Sequence, residues 1–305
     1  MYWTVPPCFA TLGGMETQIV RFAPAKLNLH LAVGPLEQNG LHSIQSLFVT
    51  ASLVDVLAIT LSPSESFSIA VTGLEAYCLP GEDTITKAAL TYQTYRPLPF
   101  ALHVHCTKRI PVQAGLGGGS SDGAAILLFL QELAGENKLG DEELLTAAKH
   151  VGSDLPFFVS GAKAAIVEGT GEVVVPLPCV SYPALVVKPV NLNISTKNAY
   201  GSLDRIMDRP LQWADRGDIA SAFKDSIPNW HKTFYNDFEQ TLSDLPFYRE
   251  LRKLTARFDG YQGLSGSGPS WFFIAESDQK VDVLAQMIDD RFGSHVAIYR
   301  LRVCS

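Results

Sequence analysis

Four glycines in five positions mark where this chain could hold a phosphate. They lie in the run Pro111, Val112, Gln113, Ala114, Gly115, Leu116, Gly117, Gly118, Gly119, Ser120, Ser121, Asp122. Glycine lets a backbone take positive φ and approach a ligand closely, at an entropic cost that an ordinary turn would avoid. An apolar run, Ala124 to Ala134, follows at once and ends at Gly135. Ser120 to Gly123 is therefore expected to open a helix, with Asp122 as its cap. The free N–H groups and positive dipole end of that helix would face the loop. A glycine loop feeding a helix N-terminus is a phosphate cradle. Two common cradles do not fit. A Walker loop needs a lysine after its last glycine, and the dinucleotide fingerprint would need glycine at position 120, where Ser120 stands. The H-R-D and D-F-G signatures of protein kinases are also missing from the sequence.

Phosphoryl transfer to an alcohol needs a group for the hydroxyl proton and positive charge for the transition state. Lys26 and Asp154 are the candidate pair. Lys26 lies in Ala25-Lys26-Leu27-Asn28-Leu29-His30-Leu31, which alternates at period two. Leu27, Leu29 and Leu31 are expected to face a core, and Lys26, Asn28 and His30 to share the other face. Asp154 stands in Gly152-Ser153-Asp154-Leu155-Pro156, a short turn after a helical stretch. The plain readings remain open at this point: a solvated strand lysine, a helix-capping aspartate and, in Asn39-Gly40-Leu41-His42, an exposed turn histidine. His103 and His105 share a strand face, but no third ligand accompanies them, so no metal site is expected.

Three ordered motifs resemble those of the GHMP kinase superfamily, which includes galactokinase and the homoserine, mevalonate and phosphomevalonate kinases. Pro24-Ala25-Lys26-Leu27-Asn28-Leu29 resembles the first. The glycine loop, residues 111–122, resembles the second. Leu264-Ser265-Gly266-Ser267-Gly268-Pro269-Ser270 resembles the third. The triple glycine, the Gly152-Ser153-Asp154-Leu155-Pro156-Phe157-Phe158 stretch and Asn236-Asp237-Phe238-Glu239 are most similar to the branch acting on a cytidine diphosphate-linked methylerythritol, in non-mevalonate isoprenoid synthesis.

The resemblance covers about residues 18 to 303 and implies an α+β, two-domain fold. Its N-terminal domain would resemble ribosomal protein S5 domain 2, and its C-terminal domain would be ferredoxin-like. ATP with Mg²⁺ would lie over Pro111 to Ser121, the ion held mainly by phosphates and water. Lys26 and Asp154 would be catalytic, phosphorylating a 2-hydroxyl. Asn28, His42, Thr196 and Tyr200 would bind substrate, with Gly266, Ser267 and Gly268 as the third glycine motif. Leu41 departs from the branch, which carries tyrosine in a Gly-Tyr-His turn and stacks the cytosine between two aromatic rings. Another kinase of the superfamily, of homoserine or mevalonate type, and a non-catalytic nucleotide-binding protein are the alternatives.

The elements that must position these residues are legible as strands at 18–33, 44–61, 67–72 and 101–108, and helices at 83–95 and 141–150. A hairpin is expected around Gly169-Thr170-Gly171. Pro176, Pro178 and Pro183 suggest a domain boundary, giving 15–178 for ATP binding and 179–305 to complete the substrate site. A strand (184–189), helical stretches (197–258), a strand (271–275), a helix (279–291) and a last strand (295–303) follow. Met15 directly precedes the first strand-like segment, so residues 1–14 read as a tail or start-site extension.

Of 305 residues, 47% are hydrophobic and 18% charged, a globular composition. A net charge of −7 offers no broad basic field for nucleic acid. No apolar run reaches the ~18 residues of a membrane span. Five cysteines without a C-x-x-C pair are expected as reduced thiols in a cytoplasmic protein.

Overall fold

A computed structural model describes residues 17–37, 40–192, 194–206 and 213–305. The expected tail, 1–14, lies outside them. The chain opens with two long strands, β1 (Thr17–Leu36) and β2 (His42–Pro63), then β3 (Ser68–Thr72), helix α1 (Thr84–Tyr95) and β4 (Phe100–Thr107). Helices α2 (Gly118–Ala134), α3 (Asp141–Val151) and α4 (Leu155–Val159) follow, then β5 (Ala164–Gly169), β6 (Val173–Pro176) and β7 (Tyr182–Pro189). The remainder is α5 (Thr196–Ile206), α6 (Arg216–Lys224), α7 (Glu239–Leu242), α8 (Pro246–Thr255), β8 (Tyr261–Leu264), β9 (Trp271–Ile274), α9 (Asp278–Phe292) and β10 (Val296–Val303).

These elements form two compact units that interleave along the chain. The first takes residues up to Pro24, Val54–Val112 and Gly118–Gly161; the second takes Ala25–Leu53, Gln113–Gly117 and Ala162–Ser305. Because β1 and β2 each run through both, the units do not divide at a single point such as 178/179.

In the first unit, the end of β2 pairs antiparallel with β4, and β3 pairs parallel with β4. Helices α1 to α4 pack on one another. Asp83 caps α1, its carboxylate accepting from the Thr86 N–H at 2.7 Å. Ile85, Ala88, Ala89 and Tyr92 form the buried stripe of α1, at helical spacing. Gly123 of α2 sits so close to α1 that an added Cβ would stand 3.0 Å from the Thr84 carbonyl oxygen.

In the second unit, the first half of β2 pairs with β5, which pairs with β6. Ala51 of β2 meets Val303 of β10, and the order continues β10, β7, β9, β8, all antiparallel. The core joins Leu31 and Val33 of β1 to Leu185, Val187, Trp271 and Phe273, and to Leu284 and Ile288 of α9. Each such side chain stabilises the fold by about 1.5–3 kcal/mol on burial.

β1 departs from simple alternation. Leu27, Leu29 and Leu31 are buried as expected, but Lys26 (4% exposed), Asn28 (2%) and His30 (1%) are buried as well. Both faces of the strand are covered, which removes the solvated-lysine reading. Asp122 also departs: it lies inside α2 rather than capping it. Among the described residues, no helix is long and apolar enough to cross a membrane.

Candidate functional site

Three segments far apart in sequence meet in the second unit. The Lys26 N–H donates to the Leu116 carbonyl at 2.9 Å, tying β1 to the glycine loop. The Ser265 hydroxyl donates to the Gly115 carbonyl at 2.9 Å and accepts from the Asn28 N–H at 3.4 Å. The Ser270 N–H reaches the Ala114 carbonyl at 3.4 Å. The approach is close enough to need glycine: a Cβ on Gly115 would collide with the Ser265 carbonyl oxygen. Gly115 (φ 76°), Gly117 (φ 68°) and Gly266 (φ 57°) are left-handed, and so is Gln113 (φ 53°). The loop is thus wound in a conformation that ordinary side chains resist.

The side chains on β1 form a chain of hydrogen bonds. The Lys26 ammonium donates to Asn28 Oδ1 at 2.5 Å and lies 4.5 Å from the centre of the Phe48 ring. Asn28 Nδ2 donates to the Ser46 hydroxyl at 3.0 Å, and that hydroxyl donates to the His30 carbonyl. The third motif is shaped from below by Asn236. Its amide donates to the Leu264 carbonyl at 2.7 Å and the Gly266 carbonyl at 2.8 Å, and accepts from the Phe238 N–H at 3.0 Å. Ser267 Oγ donates to Thr196 Oγ1 at 3.4 Å, so the start of α5 adjoins this motif.

His42 is not an exposed turn residue. It begins β2 with its side chain 7% exposed. Its ring stacks on Tyr200 of α5, with centroids 4.8 Å apart and planes at 27°. Tyr200 in turn meets Phe238 edge-on at 4.9 Å. Leu41 is 54% exposed.

The first unit carries the rest of the candidate residues. Helix α2 starts at Gly118, so Gly119, Ser120 and Ser121 occupy its first turn. Thr84 Oγ1 donates to the Gly119 carbonyl at 2.5 Å. Ser121 Oγ is buried without a hydrogen-bond partner. A Cβ on Gly152 would lie 3.8 Å from Ser120 Oγ, which places the turn carrying Asp154 against this first turn. Asp154 occupies the position before α4, yet its side chain makes no capping hydrogen bond there.

Two groups escaped the sequence reading. Ser265 lies in a quoted motif and gave that much signal. Asp55 and Lys108 gave none, because a strand pairing brings them together. The Lys108 ammonium donates to Asp55 and, at 2.6 Å, to Asp122 Oδ2. Asp55 Oδ1 accepts from the N–H groups of Arg109 and Ile110, fixing the chain just before the loop. Burial pushes the Asp122 carboxyl up to about 7, against the opposing pull of Lys108.

The winding of the loop and the two flanking motifs define a class. Residues 83–162 match the family model of the GHMP kinases' N-terminal domain. A homoserine kinase from Cytophaga hutchinsonii shares the fold at TM-score 0.64 and 18% identity, over 94% of each chain. A solved 4-(cytidine 5'-diphospho)-2C-methyl-D-erythritol kinase matches at TM-score 0.75 and 28% identity, over 93% of this chain and 99% of the other. The 4-diphosphocytidyl-2-C-methyl-D-erythritol kinase of Geobacter metallireducens is 34% identical, over 92% of this chain and 98% of its own length. The chain belongs to the 4-diphosphocytidyl-2-C-methyl-D-erythritol kinase family, and it is an ATP-dependent kinase of the GHMP class.

Proposed function

We propose that the chain transfers the γ-phosphate of ATP to the 2-hydroxyl of 4-diphosphocytidyl-2-C-methyl-D-erythritol, in the cytoplasm. One observation carries this reading: the first, second and third motifs, up to 237 residues apart at their bonded positions, are joined by hydrogen bonds from Lys26, Asn28 and Ser265. A fold kept for packing alone has no need of three glycine- or lysine-bearing segments converging on a left-handed loop.

In this mechanism Pro111 to Ser121 hold the triphosphate, with backbone N–H groups of the first turn of α2 directed at it. Mg²⁺ accompanies ATP and offsets the charge on its phosphates. Among the described residues no cluster of three or more His, Cys, Asp or Glu could hold a metal. The ion would therefore rest on phosphates and water, and the buried, unpartnered Ser121 hydroxyl fits as its protein contact. Lys26 supplies positive charge as the phosphoryl group passes. Asn28 holds the ammonium in place, and Asp154 accepts the proton of the attacking hydroxyl. Thr196, Tyr200 and His42 take the cytidyl end. The functional division places ATP binding in 15–178 and completion of the substrate site in 179–305.

The test is ATP turnover against a panel of alcohols with and without a cytidine diphosphate handle. Turnover confined to the cytidyl compound supports the reading. Turnover of homoserine or mevalonate instead overturns it.

A further inference from the structure

Asp55 is fully buried, and the reaction scheme above gives its carboxylate no role. It stands where a sheet ladder gives out. β2 and β4 pair from Pro63 and Phe100 to Val56 and Thr107, and beyond Thr107 the chain leaves β2 for the glycine loop. Asp55 supplies the acceptor that the ladder no longer does. Its Oδ1 accepts from the Arg109 N–H at 2.5 Å and from the Ile110 N–H at 2.8 Å. Its Oδ2 accepts from the Lys108 ammonium, which also donates to Asp122 Oδ2 at 2.6 Å. Asp122 lies in α2, about one turn after Gly118, and a Cβ on Gly118 would stand 3.3 Å from Asp55 Oδ2. One carboxylate therefore serves both feet of the loop, where it leaves β4 and where it enters α2.

Stability alone gives no reason for this arrangement. The side chains of Asp55, Lys108 and Asp122 are 0%, 7% and 3% exposed, and two carboxylates share one ammonium. Well-packed apolar residues of similar volume would stabilise the fold as well or better. What the charged group adds is fixed geometry at the two ends of the loop. Between those ends lie Gln113, Gly115 and Gly117, all left-handed. Glycine has more conformational freedom to lose than any other residue. Holding both ends lowers the ordering entropy that a bound nucleotide must otherwise overcome. We infer that Asp55 is a positioning residue for ATP, holding the two ends of the glycine loop so that the loop is wound before the nucleotide arrives. This rests on ATP lying over residues 111–121.

The experiment takes the full chain, Asp55→Ala and Asp55→Asn. It reads Kd for ATP without an acceptor, KM for ATP and for the cytidyl substrate, kcat, and melting temperature. If the loop is wound in only a fraction of molecules, the apparent Kd rises by the inverse of that fraction, and saturating ATP restores the wound state. Asp55→Ala loses the bonds to Arg109, Ile110 and Lys108 together. It should raise Kd and KM for ATP about tenfold or more, with kcat at saturating ATP within about twofold of the parent. Asp55→Asn keeps the shape, and its amide oxygen can still accept from the two N–H groups, but its amide nitrogen meets the Lys108 ammonium donor to donor. Its Kd for ATP should rise about threefold, between the parent and the alanine variant. KM for the cytidyl substrate should stay in place in both. If Asp55 merely held the fold, melting temperature and active fraction would fall while Kd and KM for ATP stayed unchanged, which would overturn the inference. A lower kcat at saturating ATP with unchanged ATP affinity, or an equal rise in KM for both substrates, overturns it too. Where Asp55→Ala does not fold, Asp55→Asn decides alone, and an unchanged Kd for ATP in that variant is the overturning result. A parent protein that does not bind ATP overturns the nucleotide reading itself, and the inference with it.

Discussion

The Lys26 ammonium is almost fully buried, so neighbouring groups rather than water must satisfy it. Asn28 Oδ1 and the face of Phe48 do so. Asp154 stands where a helix cap would, and its side chain makes no capping hydrogen bond to α4. Asp154→Ala should lower kcat by about 10² or more, the scale of a lost acid–base group, and leave ATP affinity nearly unchanged. Asp154→Asn should fall with it, because an amide orients a hydroxyl but cannot take its proton. Single-turnover rates at saturating ATP decide this, and an asparagine variant within a few-fold of the parent would leave Asp154 only an orienting role. The glycines separate by where a side chain would go. At Gly118 a Cβ would press on Ile110 at 3.0 Å and on Asp55 at 3.3 Å, so Gly118→Val should lower the melting temperature. Gly117 is the better probe, because its φ of 68° is what the loop requires. Gly117→Ala carries a strain of about 1–2 kcal/mol, which the loop can relieve by unwinding. ATP affinity should fall about tenfold with little change in melting, read by titration and thermal scan together. Unchanged affinity in the folded variant would remove the cradle.

At the scale of elements, the third motif depends on a side chain outside it. Asn236 bridges two of its carbonyls and is itself buried. Asn236→Ala would strand those carbonyls at a cost of about 1–3 kcal/mol. A lower denaturation midpoint with an unchanged m-value, together with weaker turnover, is the expected result, and an unaffected midpoint would show that water replaces the amide. Much of this layer is legible beforehand. Alternation at Ala101 to Lys108 corresponds to β4, and the Asp83 cap and apolar stripe correspond to α1. The exceptions have physical causes. Glycine is a poor helix former, which argues for a start at Ser120, yet α2 begins at Gly118. Small residues there let α1 and α2 approach, and that packing outweighs propensity. β8 is four residues long and exists through its pairing with β9, which no local pattern encodes. For the candidate residues, the three motifs are visible as glycines and polar residues in sequence, whereas Ser46 meets Asn28, and Lys108 meets Asp55 and Asp122, through long-range contacts alone.

At the scale of the whole molecule, two buried groups tie stability to pH in opposite directions. Burial lowers the His30 imidazole to about 4, and its Nε2 has no hydrogen-bond partner. The folded state then holds fewer protons on this group than the unfolded chain does. Its contribution is present above about 6.5, the unfolded value, and is lost as pH falls toward 4. Asp122 runs the other way, since burial raises it to about 7. The folded state keeps this proton while the unfolded chain has shed it. Its contribution is present at low pH and is lost as pH rises from about 4 through 7. Each slope is at most about 1.4 kcal/mol per pH unit. Between about 4 and 6.5 the two oppose, so neither shows in the parent protein. Variants expose them. His30→Phe removes the rising slope, so relative to the parent its stability should fall as pH climbs from 4 to 6.5. Asp122→Asn keeps the shape beside Lys108 and removes the falling slope, so relative to the parent its stability should climb over the same range and on to pH 7. Denaturant midpoints at half-unit pH steps, taken as differences from the parent, read both slopes against a common background. Parallel curves for all three proteins would mean that neither group titrates differently on folding, and that the burial of His30 and Asp122 is relieved by water instead.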